Sequence, residues 1–281
     1  MAQTELPSFD LLVATVDRTV ELERLLASLE GQTHGGFRVL VVDQNTDDRV
    51  DAILLAHPSL EIEHLKSPRG LSRARNAGLA QVRADVIAFP DDDCIFSEDV
   101  LERVGRRLAE DSGLAGLTGR AADSEGRSSR SWARDPAVLT RENLWNRAIS
   151  FTIFLRAAVV AKVGDFDERL GLGSTEAWSS GEEIDYLVRA VDAGARIEYE
   201  PTLIVVHPEK PLARVALRAV GARDGASVGY ILRKHRYPAR AVARMLVRPA
   251  GGALLALARR DRAQAQFHLS TLRGRLQAYR S

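Results

Sequence analysis

Strand-like and helix-like runs take turns from Phe9 to Glu110, and this alternation restricts the fold more than any other feature of the chain. Phe9–Val16, Phe37–Val42, the weaker Ile62–Leu65 and Val86–Phe89 are short apolar runs suited to buried strands. Between the first two, Leu22, Leu25, Leu26 and Leu29 recur at helical spacing, with Asp17 standing as N-cap and Gly31 closing the helix. Helices over about Leu71–Val82 and Ser97–Glu110 follow the same plan, the latter with Val100, Leu101, Val104 and Leu108 inward. Such a chain is α/β: a mostly parallel Rossmann-type sheet flanked by helices and joined by right-handed crossovers. Ligands of such sheets sit outside the carboxyl ends of the strands.

Acids occupy those ends. Asp17 follows the first strand, Asp43 the second, and Pro90 ends the fourth immediately before Asp91, Asp92 and Asp93. In an extended backbone Asp91 and Asp93 share one side and Asp92 points to the other. Carboxylate oxygens suit Mg²⁺ or Mn²⁺. The triplet is also compatible with a solvated turn, or with charge at the start of the next helix, which Ser97, Glu98 and Asp99 would cap. Farther on, Ser180 precedes a helix with Glu182, Glu183 and Asp185 in its first turn and Ile184, Leu187, Val188 and Val191 on one face. Ile197–Val206 reads as a strand interrupted by Pro201 and ended by His207, a residue equally suited to structure or to metal ligation. No GxGxxG follows the first strand and no GxxxxGK[ST] occurs, which removes support for the usual dinucleotide and P-loop sites.

The single cysteine, Cys94, excludes an intramolecular disulfide and a CxxC zinc site, and fits a reducing compartment. Beside the acids its thiolate is disfavoured, so it reads as packing. Net charge is +1, yet fifteen of the 39 Lys and Arg, and only two of the 38 Asp and Glu, lie from Pro211 onward. An acidic body therefore carries a basic tail. Leu212–Arg233, Pro238–Arg248 and Ala250–Ala278 have helical composition, with Gly221, Gly225, Gly229, Pro238 and Pro249 expected to break them into short helices. The tail fits either a helical cap with a solvated basic face or a surface for anionic membranes. Nucleic acid is a poor partner, since few aromatics interleave the arginines. The first residues lack a basic segment followed by an apolar one, and no uninterrupted apolar run reaches the ~18 residues of a membrane span, so a cytoplasmic protein, at most peripheral on the inner face of the cell membrane, is expected.

In order, the segments ATVDR, LERLLASLEGQ, VVDQN, RGLSRARNAGL, FPDDD, GDFDERLG, SGEEIDYLVRAVDAG and PTLIVVH resemble the family 2 glycosyltransferases of GT-A fold over Asp10 to Glu209. The resemblance implies a catalytic domain at 1–209, with a nucleotide-sugar-binding half to about 119 and an acceptor half from 120, and a basic helical extension at 210–281. It implies inverting transfer of a sugar from a nucleotide-diphosphate donor to a hydroxyl of a glycan or lipid-linked glycan, in cell-surface or extracellular polysaccharide synthesis. Asp93 would hold Mg²⁺ or Mn²⁺ with His207 as second ligand, and Asp91 and Asp92 would share metal and ribose contacts. Asp17, Asp43, Arg69 and Arg73 fall on the nucleotide side, and Ala14 and Thr15 would line the base pocket mainly through backbone. Glu183, with Glu182 second, would be the general base. Three segments depart from the family pattern: ATVDR from PTYNR, VDQN from VDDGS, and GEEID from GEDxD, where a glutamate takes the place of the usual aspartate base. Two alternatives remain: a sugar-1-phosphate nucleotidyltransferase, which would want a glycine-rich loop that ATVDRT does not supply, and a non-catalytic nucleotide-sugar-binding module.

Overall fold

The structure, a computed structural model, describes residues 5–128, 130–208 and 216–281. The boundary expected at 209–210 and the start of the first tail segment at Leu212 lie outside those residues. By internal contacts the chain forms two compact units, Met1–Phe166 with Tyr186–Glu209, and Asp167–Asp185 with Lys210–Ser281. The C-terminal helices thus take with them a segment that the sequence assigns to the acceptor half.

The first unit begins with the expected alternation: β1 (Phe9–Thr15), α1 (Val20–Glu30), β2 (Phe37–Asp43), α2 (Asp51–Leu55), β3 (Ile62–Lys66), α3 (Leu71–Leu79), β4 (Val86–Ala88) and α4 (Val100–Glu110). It continues through β5 (Gly116–Ala122), β6 (Ala137–Val138), β7 (Ile153–Arg156), α5 (Ala157–Val163), α6 (Glu182–Asp192), whose first turn belongs to the second unit, and β8 (Ile197–Val206). The strands form one sheet in the order β3-β2-β1-β4-β7-β5-β8-β6. Its first four strands are parallel, as is the β5–β8 pair, whereas β7 runs against both β4 and β5, and β6 against β8, so the sheet is mixed.

Leu22, Leu25, Leu26 and Leu29 of α1 and Val100, Leu101, Val104 and Leu108 of α4 are all buried in one core with Phe9, Leu11, Val13, Val39 and Val41 of the sheet. Cys94 is part of that core, and burial, followed by the charges of Asp91 and Asp93, pushes its thiol well up. Helix α1 starts two residues later than expected. Thr19 is its N-cap, and Asp17 instead turns the chain with a positive φ of 58°. Pro201 does not interrupt β8 but bulges it: pairing with β5 passes from Thr118↔Tyr199 to Arg120↔Ile204. Gly119 faces the bulge, where a Cβ would stand 2.2 Å from the Leu203 carbonyl oxygen.

Of the breaks expected in the second unit, Pro238 makes one, as a helix N-cap, and the other four are absent. Helices α7 (Leu217–Lys234), α8 (Ala239–Ala258) and α9 (Arg262–Arg280) run on, with Pro249 inside α8. Gly221, Gly225 and Gly229 serve close approach instead: a Cβ on Gly225 would lie 2.3 Å from the Thr271 carbonyl oxygen, and one on Gly229 2.3 Å from that of Arg275. Four-residue spacing puts the three glycines on one ridge, into which α9 fits, so packing outweighs the ~1 kcal/mol helix penalty of each glycine. The Asp167–Asp185 segment is tied in by polar contacts. Asp185, fully buried, accepts from Lys234 Nζ at 2.7 Å and pairs with His235 Nε2 at 2.8 Å. Asp167 accepts from Tyr230 at 2.9 Å and Lys234 at 2.8 Å. Ser180, expected as a helix cap, bonds Ser227 and Asp224 of α7.

Candidate active site

Asp91, Asp93 and His207 converge, each offering one ligand atom, all within 4.8 Å of one another. The fold brings them together through two short bridges. Asp91 pairs with Ala14 just beyond the end of β4, and Ile95 pairs with Val206, the last residue of β8. Residues 91–94 therefore form a turn, closed by Cys94 N–H donating to the Asp91 carbonyl at 3.1 Å, rather than the extended segment expected. The separation of sides survives: Asp91 and Asp93 meet His207, while Asp92 accepts from Thr15 Oγ1 at 2.8 Å and Arg18 at 2.6 Å. Thr15, expected to contribute mainly backbone, thus also engages Asp92 through its hydroxyl.

His207 continues directly from β8, its amide donating to the Ala122 carbonyl at 2.9 Å. Its ring stacks on Phe151, with centroids 4.8 Å apart, and its Nε2 lies 3.0 Å from Asp93 Oδ1. Burial lowers its pKa, but the hydrogen bond and charge of Asp93 outweigh that and raise it.

Three carboxylates in one turn repel one another, and among the described residues Arg18 and Arg75 face them. Arg18 bridges Asp92 and Asp93, 2.8 Å from the latter. Arg75, almost fully buried, reaches Asp91 Oδ1 at 3.2 Å, an oxygen that also accepts from Ser150 Oγ at 3.1 Å. Burial raises the Asp92 pKa, with Arg18 and Thr15 opposing it. Two carboxylates and an imidazole then make a mixed oxygen and nitrogen donor set that fits Mn²⁺ and accommodates Mg²⁺.

Arg18, Arg75, Ser150 and Phe151 were not singled out from the sequence. Arg18 and Arg75 lie within the motifs ATVDR and RGLSRARNAGL, which gave the only signal. Ser150 and Phe151 carry none, because they reach the site only when β7 inserts between β4 and β5.

The other nucleotide-side residues form a neighbouring network. Asp43 is fully buried at the end of β2, accepting from Asn45 through both its backbone amide (2.8 Å) and its side-chain amide (2.7 Å), and from Lys66 (2.8 Å). Asn45 in turn accepts from the Asp17 amide at 2.9 Å. The Asp17 carboxylate is half-exposed and pairs with Arg69 and Arg49. Arg73 is exposed on α3, and Ala14 sits next to Thr15 at the end of β1. Glu182, buried, and Glu183, half-buried, stand in the first turn of α6, within the second unit.

Residues 10–162 match the family described as Glycosyl transferase family 2. A pre-mycofactocin glycosyltransferase of Mycobacterium tuberculosis is 30% identical over 207 residues, covering 69% of this chain, which spans only 41% of that relative's length. Glycosyltransferase AglE of Haloferax volcanii is 24% identical over 229 residues, covering 75% of this chain and 70% of the relative. Among solved structures, the mannosyltransferase PcManGT of Pyrobaculum calidifontis, in complex with GDP-Man and Mn²⁺, superposes with a TM-score of 0.67 at 15% identity, covering 98% of this chain and 88% of the other. S. aureus TarS 1-349 in complex with UDP-GlcNAc gives 0.65 at 16% identity, covering 97% and 91%. At those identities the likeness is one of fold.

Proposed function

We propose, for a chain that belongs to the family 2 glycosyltransferases, that it transfers a sugar with inversion from a nucleotide-diphosphate donor to a glycan or lipid-linked glycan hydroxyl, in a metal-dependent reaction serving cell-surface or extracellular polysaccharide synthesis. The observation that carries this reading is the convergence of Asp91, Asp93 and His207 beyond the ends of β4 and β8. The nucleotide sugar and Mn²⁺ in two neighbours of the same fold support it.

Asp91, Asp93 and His207 would hold the cation. A divalent ion there would offset the negative charge that grows on the departing diphosphate. Arg75 and Ser150 fix Asp91, and Thr15 and Arg18 fix Asp92, so the acids are oriented before donor binds. Asp43 orders Asn45 and Lys66 on the nucleotide side, where Asp17 and its partner Arg69, Arg73 and the backbone at Ala14 complete the donor contacts. Glu183 is assigned as general base, with Glu182 as the second choice. The acceptor oxygen bonds to the anomeric carbon from the face opposite the diphosphate, its proton passes to the Glu183 carboxylate, and the carbon–oxygen electron pair leaves with the nucleoside diphosphate. Asp185 is committed to Lys234 and His235 and is assigned no chemistry.

The test is a thermal-shift panel of nucleoside diphosphates and nucleotide sugars with and without Mn²⁺, followed by transfer assays on the donor that stabilises most. Stabilisation by one base, enhanced by Mn²⁺, is expected. Glu183→Gln should keep that shift and lose transfer; a variant turning over at the wild-type rate removes Glu183 from the mechanism.

A further inference from the structure

Helix α8 has two opposite faces. Val242, Pro249, Ala253 and Ala256 fall on one side and are buried. The other side is uncovered: Val247 is 68% exposed, Leu254 70%, Leu255 52% and the flanking Leu257 54%. Among the described residues, α8 is the one helix long and apolar enough to cross a membrane by length and composition, although its sequence contains arginines that break the apolar run. Those arginines are ordered. Arg240, Arg244 and Arg248 are exposed at the amino-terminal half, and Arg259, Arg260 and Arg262 just beyond the carboxyl end. The exposed face is therefore an apolar patch between two cationic borders, with Asp261 the only acid in the whole stretch from Arg240 to Arg262.

Three occupants could cover such a face. A second copy of the helix would set six arginines against six arginines. Spanning a bilayer would carry the charges of Arg244 and Arg248 into hydrocarbon, while the opposite face of α8 stays occupied by its own unit. An interfacial position satisfies both halves of the pattern, with leucines in the headgroup boundary and guanidiniums on lipid phosphates.

We propose that the exposed face of α8 is a docking surface for an anionic lipid bilayer, with Val247, Leu254, Leu255 and Leu257 inserted and the arginines at both borders bound to headgroups. This goes beyond the transferase reading and does not depend on it, because binding is read without donor or acceptor.

The experiment is flotation of the full chain with phosphatidylcholine vesicles, with and without phosphatidylglycerol. Binding is expected with the anionic lipid at low salt and should weaken as salt rises. Leu254→Glu with Leu255→Glu should reduce it at least about tenfold, and Arg244→Glu with Arg248→Glu about as much. Both double variants change exposed side chains, and an unchanged melting midpoint verifies their folding. No flotation at low salt, binding indifferent to both variants, or a wild-type dimer that the leucine variant dissociates without any vesicle binding would each overturn the proposal.

Discussion

The sheet of the first unit buries acid–guanidinium clusters at both of its ends, and only one of them resembles a site. At the amino end of β1, Asp10 receives Arg38 through two nitrogens, at 2.6 and 3.0 Å, and the backbone amides of Arg83 at 2.6 Å and Ala84 at 3.0 Å. Arg38 also donates to the Gln81 carbonyl at 2.6 Å and pairs with Glu63. Each group there is answered by backbone or by a buried partner. At the carboxyl end, Asp92 and Asp93 both pair with Arg18, whose side chain is 37% exposed, and Asp93 faces the imidazole of His207. Buried charge alone therefore does not mark function. What separates the clusters is whether the partners are fixed backbone or side chains that can yield to a ligand.

That contrast can be broken from either end. Asp93→Ala should cost roughly a thousandfold in transfer rate, the scale of removing a principal electrostatic element, while the folded state persists. Rates measured across a Mn²⁺ titration, with the melting midpoint as control, check it; an undiminished metal response would take Asp93 out of the site. Arg38→Ala should do the opposite. Leaving Asp10 buried without its counter-ion should lower stability by about 3–5 kcal/mol, read by denaturant unfolding, and leave activity per folded molecule unchanged.

The difference between the clusters also explains what could be read from the chain. Strand alternation and the leucines of α1 need only local periodicity, so these elements were legible in the sequence; Asp91, Asp93 and His207 each follow a strand, but it was the family resemblance that grouped them. Arg18, Arg75 and Ser150 were not, since arginine and serine on short motifs look alike whether they face solvent or a carboxylate. The glycines of α7 misled for a related reason: propensity reads them as breaks, whereas their meaning is the closeness of α9, which no local rule contains. Pro201 likewise signals an interruption locally, and becomes a bulge only because β5 presents Gly119 opposite it.

Arg18 sharpens the contrast at smaller scale. If it is a counter-ion that yields, Arg18→Ala should change stability by no more than about 1 kcal/mol, as for other partly exposed pairs. It should also tighten Mn²⁺ binding several-fold, because the carboxylates lose a competing cation. Electron paramagnetic resonance of free Mn²⁺ during a titration measures this directly. Weaker binding in the variant would mean that Arg18 instead holds the acids in place, as Arg38 holds Asp10.

Asp43 crosses the two categories. It lies at the carboxyl end with the site, yet it is fully buried and engaged by Asn45, His64 and Lys66, in the manner of Asp10. Burial pushes its pKa up, but the hydrogen bonds from Lys66 and Asn45 prevail and hold it below the ordinary carboxylate value. A depressed folded pKa contributes stability that is fully present above the unfolded value, roughly pH 4, and is lost as pH falls through the lower folded value. Asp43→Asn should therefore be less stable than wild type at neutral pH and should show a flatter decline below roughly pH 4. Unfolding free energies measured from pH 7 downward decide it. Identical acid limbs in the two proteins would mean that the Asp43 network contributes no net stability, and would move Asp43 from the company of Asp10 into that of Asp93.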